Sequence, residues 1–416
     1  MLTYYIWTIG CQMNKAESER LAAYLDQLGY QPSESAEGAS LILLNSCVVR
    51  QSAENRVVNK LHSLKTFKKT HPDTTIALTG CIIGSDSEKL KSVFPFIDHF
   101  FPAGEFPTWL GEFDAVKTLP RNPGVATFIP IMQGCNNFCS YCVVPFRRGH
   151  ERSRTPDELV GEVTALIRRG VKEVTLLGQN VDSYGSDLGG QSDLADLLSQ
   201  LNSLEGLERI RFLTNHPKDM KSKLIDTVAR LDKVCEQINL PVQAGDDEIL
   251  KAMRRGYTVD QFRRLIEQIR AKVPGIALST DVIVGFPGET DTQFNHTHSL
   301  LADIRFDMVH VAAYSPRPDT LAARTLSDDV PSAAKKQRLA MVEVLQSKIA
   351  GEINSLLLNQ TVEILIEGRQ KGRWYGRTRG DKLVFISDQG DFQSKLVKVK
   401  ISRTSPWSLT GHLSSA

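Results

Sequence analysis

Short apolar runs alternate with longer amphipathic segments through most of the 416-residue chain. Near the N terminus, runs at 4–9, 41–44 and 75–78 have the character of buried strands, and helices are predicted at about 14–28 and 53–67. A repeat of strand, loop and helix predicts a parallel α/β sheet, here a doubly wound one. In such sheets the loops at the carboxyl ends of the strands meet at one crevice.

The middle of the chain continues the same alternation. Six further runs are predicted as strands, at residues 125–131, 173–177, 209–213, 237–240, 277–284 and 308–312. Six strands with helices between them predict a partial (β/α)6 barrel, a fold that carries its chemistry at the carboxyl ends of its strands.

The pattern changes after a helix that is predicted to end near Leu357. Short strand-like stretches separated by turn residues then follow, at 362–366, 374–378, 382–386 and 395–401. The last of these alternates apolar and basic side chains, which is typical of a half-buried strand with a basic outer face. So many short strands in so few residues predict a small OB-like β-barrel.

A Pro- and Gly-rich stretch at 119–124 separates the first two regions. We therefore predict three domains, covering residues 1–118, 122–350 and 351–416.

The net charge of the chain is only +2, yet residues 351–416 contain ten Lys or Arg against six Asp or Glu. A small basic end favours contact with a polyanion, and Trp374 and Tyr375 add an aromatic pair suited to stacking on bases. Scattered solvated lysines would produce the same charge count.

Three cysteines lie in one loop after the first predicted barrel strand. Cys135, Cys139 and Cys142 have C-x3-C-x2-C spacing. Three thiolates this close can hold three irons of a 4Fe-4S cluster and leave the fourth iron open to a ligand. Structural zinc is the alternative, but such sites usually have four protein ligands, and only His150 lies near enough to be considered as the fourth.

Three earlier cysteines, Cys11, Cys47 and Cys81, each follow a predicted strand of the first domain. Because carboxyl-end loops converge, we expect them to be neighbours in space and to form a second site with three thiolates. The alternative is three unrelated buried cysteines. We interpret Cys235 as a small buried apolar residue.

The chain has seven cysteines, no signal peptide and no apolar run long enough to span a bilayer. These features favour a reducing cytoplasm over a disulfide framework and predict no membrane contact.

The motifs that contain the cysteines resemble those of a known family. Residues 134–154, GCNNFCSYCVVPFRRGHERSR, look like the radical S-adenosylmethionine signature. Cys11-Gln-Met-Asn14 and Cys47-Val-Val-Arg50 are similar to motifs of the methylthiotransferases, in the branch that acts on prenylated adenosine in tRNA. Further similar motifs are found at 214–217, 240–245, 281–290 and 314–318. The resemblance spans a methylthiotransferase N-terminal domain, a radical S-adenosylmethionine core and a TRAM domain.

The chain departs from the family pattern at a few positions. Ile82-Ile-Gly84 replaces the usual Met-Ala-Gln, Ala244 stands where Ser is usual, and Asp319 and Leu321 replace Gly and Pro. All six cysteines remain, so these departures bear on substrate preference and not on the reaction.

The resemblance implies two 4Fe-4S clusters and S-adenosylmethionine as cofactors. Cys135, Cys139 and Cys142 would hold the catalytic cluster, whose open iron binds S-adenosylmethionine and generates a 5′-deoxyadenosyl radical. Cys11, Cys47 and Cys81 would hold the auxiliary cluster, where a second S-adenosylmethionine methylates the sulfur. Loop residues after later strands are expected to contact S-adenosylmethionine: Gln179, Asn180, Gln243 and Gly285.

The implied reaction is methylthiolation of carbon 2 of N(6)-dimethylallyladenosine next to the anticodon. The alternatives are methylthiolation of threonylcarbamoyl-adenosine in tRNA, methylthiolation of a ribosomal-protein aspartate, and a non-catalytic iron–sulfur or zinc RNA-binding module. The expected partners are the tRNA anticodon stem-loop and an electron donor such as flavodoxin or ferredoxin, with the sulfur source unknown; we expect a monomer. Four arginines after the trio are candidates for phosphate contacts or for a solvated face: Arg147, Arg148, Arg152 and Arg154.

Overall fold

The computed structural model of the protein describes residues 2–49, 51–84, 87–111, 118–190 and 192–414. Three residues named in the predictions lie outside these ranges. Met1 and Ala416 are the predicted ends of the first and last domains, and Arg50 is the last residue of the motif that begins at Cys47. Among the described residues, no helix is both long and apolar enough to cross a bilayer.

The N-terminal region is a parallel five-stranded sheet covered by helices. Its strands, in the order β2-β1-β3-β4-β5, are β1 (Thr3–Thr8), β2 (Gln31–Pro32), β3 (Leu41–Ser46), β4 (Thr75–Gly80) and β5 (His99–Phe100). Its helices are α1 (Gln12–Gln27), α2 (Gln51–Thr70) and α3 (Ser87–Val93).

Alternate residues of β3 point to opposite faces of this sheet. Leu41 and Leu43 pack in the cluster that contains α1, whereas Ile42 and Leu44 pack in the cluster that contains α2. Both faces are therefore buried, which explains the continuous apolar run of β3 and confirms the doubly wound arrangement.

The central region is a partial barrel of six parallel strands. Two three-stranded sheets, β6-β9-β10 and β11-β12-β13, are joined by a bridge between Ile210 and Val234. The strands are β6 (Ala126–Pro130), β7 (Met132–Gln133), β8 (Arg152–Ser153), β9 (Glu173–Leu177), β10 (Arg209–Leu213), β11 (Gln237–Asn239), β12 (Ala277–Val284) and β13 (Met308–Ala313), of which β7 and β8 form a separate hairpin.

Helices follow the barrel strands in turn. They are α4 (Val144–Arg148), α5 (Pro156–Arg168), α6 (Leu194–Asn202), α7 (Ser222–Arg230), α8 (Asp247–Ala252), α9 (Val259–Lys272), α10 (Asp291–Ile304), α11 (Leu321–Thr325) and α12 (Ser332–Ser355). Several start at a capping box, in which a Thr side chain accepts from the third backbone N–H and Glu or Gln bonds back. Thr155 with Glu158 at α5 and Thr258 with Gln261 at α9 are two examples.

The C-terminal region is a closed five-stranded barrel. Its strands, ordered β14-β15-β16-β18-β17, are β14 (Thr361–Gln370), β15 (Arg373–Thr378), β16 (Leu383–Ile386), β17 (Leu396–Thr404) and β18 (Leu409–Leu413). The alternation in β17 buries Val399 and Ile401 and exposes Lys398 and Lys400. The predicted stacking of Trp374 and Tyr375 on bases is wrong for Trp374. Its side chain is buried in the core of the barrel, and its Nε1–H donates to Gly390 O.

This barrel docks on the amino ends of the central strands. Arg211, which pairs with Glu173, donates to the carbonyls of Thr378 and Arg379 at 2.7 and 2.6 Å. In return, Arg379 pairs with Glu236 at 2.7 Å. Buried guanidinium groups require acceptors, and here each barrel supplies acceptors to the other. The C-terminal barrel is therefore fixed to the amino end of the central barrel.

The N-terminal domain covers the opposite end. Met13 and Ala16 of α1 pack against Leu177 and Leu213, at the carboxyl ends of β9 and β10. Arg20 of α1 pairs with Glu162 of α5. The carboxyl-end mouth of the central barrel is therefore roofed by the domain that contains the three early cysteines.

Candidate active site

The first group of cysteines, which we call the radical site, is formed by Cys135, Cys139 and Cys142 in the loop after β6. Gly134, just before it, has φ +83°, and a side chain there would collide with the backbone of His150. The loop is closed by Cys135 N–H bonding to Gly149 O at 3.2 Å and by Cys142 N–H bonding to Cys139 O at 3.0 Å. The chain therefore winds tightly enough to bring three thiols together.

Burial makes two thiols of the radical site, those of Cys135 and Cys142, weak acids. Desolvation raises the pKa of Cys135 to about 11 and that of Cys142 to about 12. A metal cluster takes thiolates, so loading this site displaces protons.

One cation faces these thiols. The buried Arg255 donates Nη1–H to Cys139 Sγ at 3.4 Å and Nη2–H to Pro241 O at 2.9 Å. Its Nε–H bonds to Tyr257 Oη at 3.1 Å. Among the residues that the structure describes, no carboxylate pairs with Arg255. A buried guanidinium without a carboxylate requires an anion, and the thiolates of a loaded cluster would supply that charge.

The second group, which we call the auxiliary site, is formed by Cys11, Cys47 and Cys81 after β1, β3 and β4. The two asparagines of the flanking motifs join the first two loops: Asn14 Nδ2 donates to Asn45 Oδ1 at 2.9 Å. Asn14 Oδ1 also accepts from the Cys11 N–H and thiol, both at 3.3 Å.

Cys47 and Cys81 are buried and share a hydrogen bond. The bond from the Cys47 thiol lowers the pKa of Cys81, and the nearby Arg148 guanidinium lowers it further. The same bond, with burial, raises the pKa of Cys47. Cys47 and Cys81 thus lie together after separate strands, and Cys11 acts electrostatically on Cys47. That the three cysteines form one site stays a prediction.

Two buried arginines of the central domain reach into the auxiliary site. Arg148, at the end of α4, donates Nε–H to Cys81 Sγ at 3.2 Å and pairs with Glu17 at 2.5 Å. Arg317, in the loop after β13, pairs with Glu54 at 2.6 Å and donates to Val48 O, next to Cys47, at 3.3 Å.

Each site offers three sulfur donors, which suits an iron–sulfur cluster with one open iron, whereas structural zinc sites usually have four protein ligands. Each trio consists of soft sulfur ligands, and each has a guanidinium that donates to one sulfur. Within the described residues, no three His, Cys, Asp or Glu side chains form a group that could hold a metal ion.

The four residues expected to contact S-adenosylmethionine lie in loops after three barrel strands. Gln179 Oε1 accepts from the Gly134 N–H at 2.7 Å, so it supports the cysteine loop directly. Asn180 donates to Asp219 at 2.8 Å, and its buried Oδ1 has no protein partner among the described residues. Gln243, which follows β11, has φ +70°, a backbone conformation that marks functional loops.

Gly285 follows β12 with φ +70°, and its N–H donates to Glu289 Oε2 at 2.6 Å. A side chain at this position would collide with the stem of Lys335, so glycine is required.

His216, after β10, is buried, and burial lowers its pKa to about 2. It is therefore neutral, and its Nδ1 accepts from the Lys218 N–H.

The arginine cluster after the trio is mostly engaged inside the protein. Arg147 pairs with Asp319, Arg148 with Glu17, and Arg154 with Glu162. Both predicted roles of Arg148, a phosphate contact or a solvated position, are wrong because it is buried. Nothing in the local sequence distinguishes it from exposed Arg152.

Sequence reasoning also missed Arg255 and Glu17, and it included Arg317 only as part of the motif at 314–318. The contacts that place them at the two sites are with Cys139, Arg148 and Glu54, which are distant in the chain, so no spacing rule could find them. A cavity of about 310 Å³ lies next to Glu17, between α1 and the β7–β8 hairpin. Asn45, Thr79, Gln133 and Arg152 are among its lining residues.

The barrel, with a cysteine trio after its first strand and polar loops after the others, defines a radical S-adenosylmethionine class of protein. The Radical SAM superfamily model matches residues 129–301, the model of Uncharacterized protein family UPF0004 matches 3–102, and the TRAM domain model matches 356–414. The radical S-adenosylmethionine methyltransferase TsrM from Kitasatospora setae, solved with cobalamin and a 4Fe-4S cluster, shares the fold. Its TM-score is 0.54 at 14% identity, over 77% of each chain.

Curated relatives match the whole chain. A tRNA-2-methylthio-N(6)-dimethylallyladenosine synthase from Dehalococcoides mccartyi (strain CBDB1) is 55% identical over 410 residues, covering 99% of this chain and 98% of the relative. One from Roseiflexus sp. (strain RS-1) is 50% identical over 428 residues, covering 99% and 89%. The chain belongs to the tRNA-2-methylthio-N(6)-dimethylallyladenosine synthase family.

Proposed function

We propose that this protein methylthiolates carbon 2 of N(6)-dimethylallyladenosine, next to the anticodon of tRNA. The observation that carries the proposal is the pair of three-cysteine sites, with the N-terminal domain roofing the mouth of the central barrel. When bound, the clusters and S-adenosylmethionine supply an electron, a 5′-deoxyadenosyl radical and a methylated sulfur. An aromatic C–H is too weakly acidic for a side-chain base, so this chemistry belongs to cofactors.

The role of the chain is to hold and shield these groups. We assign Cys135, Cys139 and Cys142 to the catalytic cluster and Cys11, Cys47 and Cys81 to the auxiliary cluster. Arg255 would balance charge at the first of these sites and Arg148 at the second. The roof formed by α1 would exclude water from the mouth, which protects a reactive radical from side reactions.

We further assign Gln179, Asn180, Gln243 and Gly285 to S-adenosylmethionine contacts. Their place in loops after β9, β11 and β12 supports this role, because barrel sites are built from such loops. The unpartnered Oδ1 of Asn180 supports it as well, since a buried polar atom without a protein partner is suited to a ligand.

The remaining assignments concern organisation and partners. We propose domain limits of 1–118, 122–350 and 351–416, with the anticodon stem-loop bound in part by the C-terminal TRAM domain. We also propose a monomer in the cytoplasm, with an electron donor such as flavodoxin or ferredoxin. The names of the relatives favour the prenylated adenosine over threonylcarbamoyl-adenosine, a ribosomal-protein aspartate or a non-catalytic RNA-binding role.

The test is methylthiolation in vitro of prenylated and unprenylated tRNA by the reconstituted full chain, with product identified by nucleoside mass spectrometry. Burial of a five-carbon group contributes about 4 kcal/mol at most, at ~0.8 kcal/mol per carbon. We therefore expect a preference approaching roughly a thousandfold for prenylated tRNA. The Cys142→Ala variant is the control and should form no product. Equal rates on the two tRNAs would overturn the assignment.

A further inference from the structure

We propose that Arg148 is a positioning residue that fixes Cys81 in the auxiliary site and, together with Glu17, sets the reduction potential of the cluster held there. This inference rests on the proposed function, because it takes Cys11, Cys47 and Cys81 as the ligands of that cluster.

The geometry at Arg148 assigns each side of the guanidinium to a different partner. Nε–H points to Cys81 Sγ at 3.2 Å, while Nη1 and Nη2 contact the two carboxylate oxygens of Glu17 at 2.5 and 3.3 Å. Arg148 and Glu17 are 6% and 8% exposed. The pair is therefore shielded from bulk water, and the contact is unsuited to a tRNA phosphate.

Arginine is required for this arrangement. Its planar fork can donate to a carboxylate through two nitrogens and to a third partner through Nε at the same time, whereas lysine offers a single point of charge. Glu17 comes from α1, six residues after Cys11, and Arg148 comes from α4, six residues after Cys142. One buried ion pair thus joins the loop of the radical site to a ligand of the auxiliary site.

Hydrogen bonds to ligand sulfur and local net charge are two of the properties that set the potential of an iron–sulfur cluster. The N–H of Arg148 stabilises the more negative, reduced cluster. The Glu17 carboxylate opposes that effect and limits it. The two residues should therefore act on the potential in opposite directions.

The experiment uses the full chain in a Cys142→Ala background, so that the auxiliary cluster alone contributes the signal. Each variant takes up one electron per cluster from a chemical reductant, and its potential is read from an EPR-monitored titration. We expect R148M to shift the potential to more negative values and E17Q to shift it to more positive values. R148K should also shift the potential to more negative values, but less than R148M, because the bond to Cys81 is lost while a cation remains.

A purely structural ion pair predicts a different pattern. Both variants would then loosen the site, with shifts of the same sign or none, and that result would overturn the inference. If R148M loses its cluster, the E17Q variant provides the test, because it keeps the bond between Arg148 and Cys81. The proposal is refuted if the potential of E17Q does not shift to more positive values. Iron analysis of the unmodified protein keeps the two hypotheses apart, since a single cluster there contradicts the proposed function itself.

Discussion

The radical site and the auxiliary site each combine three cysteines with a buried arginine, but they are assembled in opposite ways. The cysteines of the radical site lie in a single loop that backbone hydrogen bonds close locally. Those of the auxiliary site come from three loops that only the parallel sheet brings together. The comparison shows that one sequence can encode two similar ligand sets, one by spacing and the other by topology.

The arginines differ in how their charge is balanced. Arg148 is neutralised by Glu17, whereas Arg255 has neutral partners and a thiol among the described residues. The radical site therefore keeps a local positive charge that the auxiliary site lacks. This positive charge suits the proposed role of the site, which is to hold an anionic cluster and bind the carboxylate of a second molecule.

The largest expected effect separates the two clusters. Cys142→Ala should abolish cleavage of S-adenosylmethionine and keep the auxiliary cluster, whereas Cys47→Ala should keep some cleavage and lose sulfur transfer. Iron should fall from roughly eight to roughly four per chain in both, as expected for two 4Fe-4S clusters. Iron and sulfide analysis with a cleavage assay measures this.

Cys235→Ala is the matched control, because Cys235 is buried like Cys47 and, among the described residues, its hydrogen bonds are backbone bonds within the barrel wall. It should keep both clusters. Loss of both clusters in either ligand variant would mean that the sites depend on each other.

The second-largest expected effect tests the positive charge of Arg255, which no carboxylate balances among the described residues. Arg255→Met removes a charged hydrogen bond to Cys139, a class of bond that contributes about 1.5–3 kcal/mol. Cleavage of S-adenosylmethionine should therefore fall by roughly ten- to a hundredfold, and the potential of the radical cluster should become more negative. An unchanged potential would show that Arg255 only supports the loop.

Arg317→Met should act on the auxiliary site alone. It frees the backbone at Val48 and leaves Glu54 without its cation. We expect faster hydrogen exchange around 48–54 and a higher ratio of 5′-deoxyadenosine to methylthio product, at an unchanged rate of cleavage. A parallel loss of cleavage would contradict the separation of the two sites.

The smallest expected effect is on tRNA binding, and it should leave both clusters unchanged. Lys398→Ala with Lys400→Ala removes two exposed cations of β17. The slope of log binding constant against log salt should decrease by about 0.7–0.9 for each tRNA phosphate that these lysines no longer neutralise. Point variants are preferable to deleting the domain, because deletion would remove the acceptors of Arg209 and leave Arg211 with Glu173 alone. An unchanged slope would place the tRNA-binding surface on another face.

Periodicity was sufficient to predict the architecture. Motif spacing and strand order selected the six cysteines, whose role as cluster ligands stays a prediction. Strands β9, β10 and β12 begin and end where the apolar runs do, because each run is bounded by polar or turn residues. The strand β18 was missed, since Leu409–Leu413 has a weak pattern and is defined by its pairing with β16 and β17. Trp374 was assigned to the surface because alternation within a strand does not say which face is buried.

Only the tertiary structure decided which charges face the sulfurs. Arg147, Arg148, Arg152 and Arg154 look alike in sequence, yet Arg148 alone bonds to a cysteine. Its carboxylate partner, Glu17, lies 131 positions away. Burial makes the difference, because a guanidinium shielded from water must bond to whatever acceptors the fold brings to it. The sequence therefore determined where the six cysteines lie along the chain, and the packing of one domain on another determined the electrostatic surroundings of the two sites.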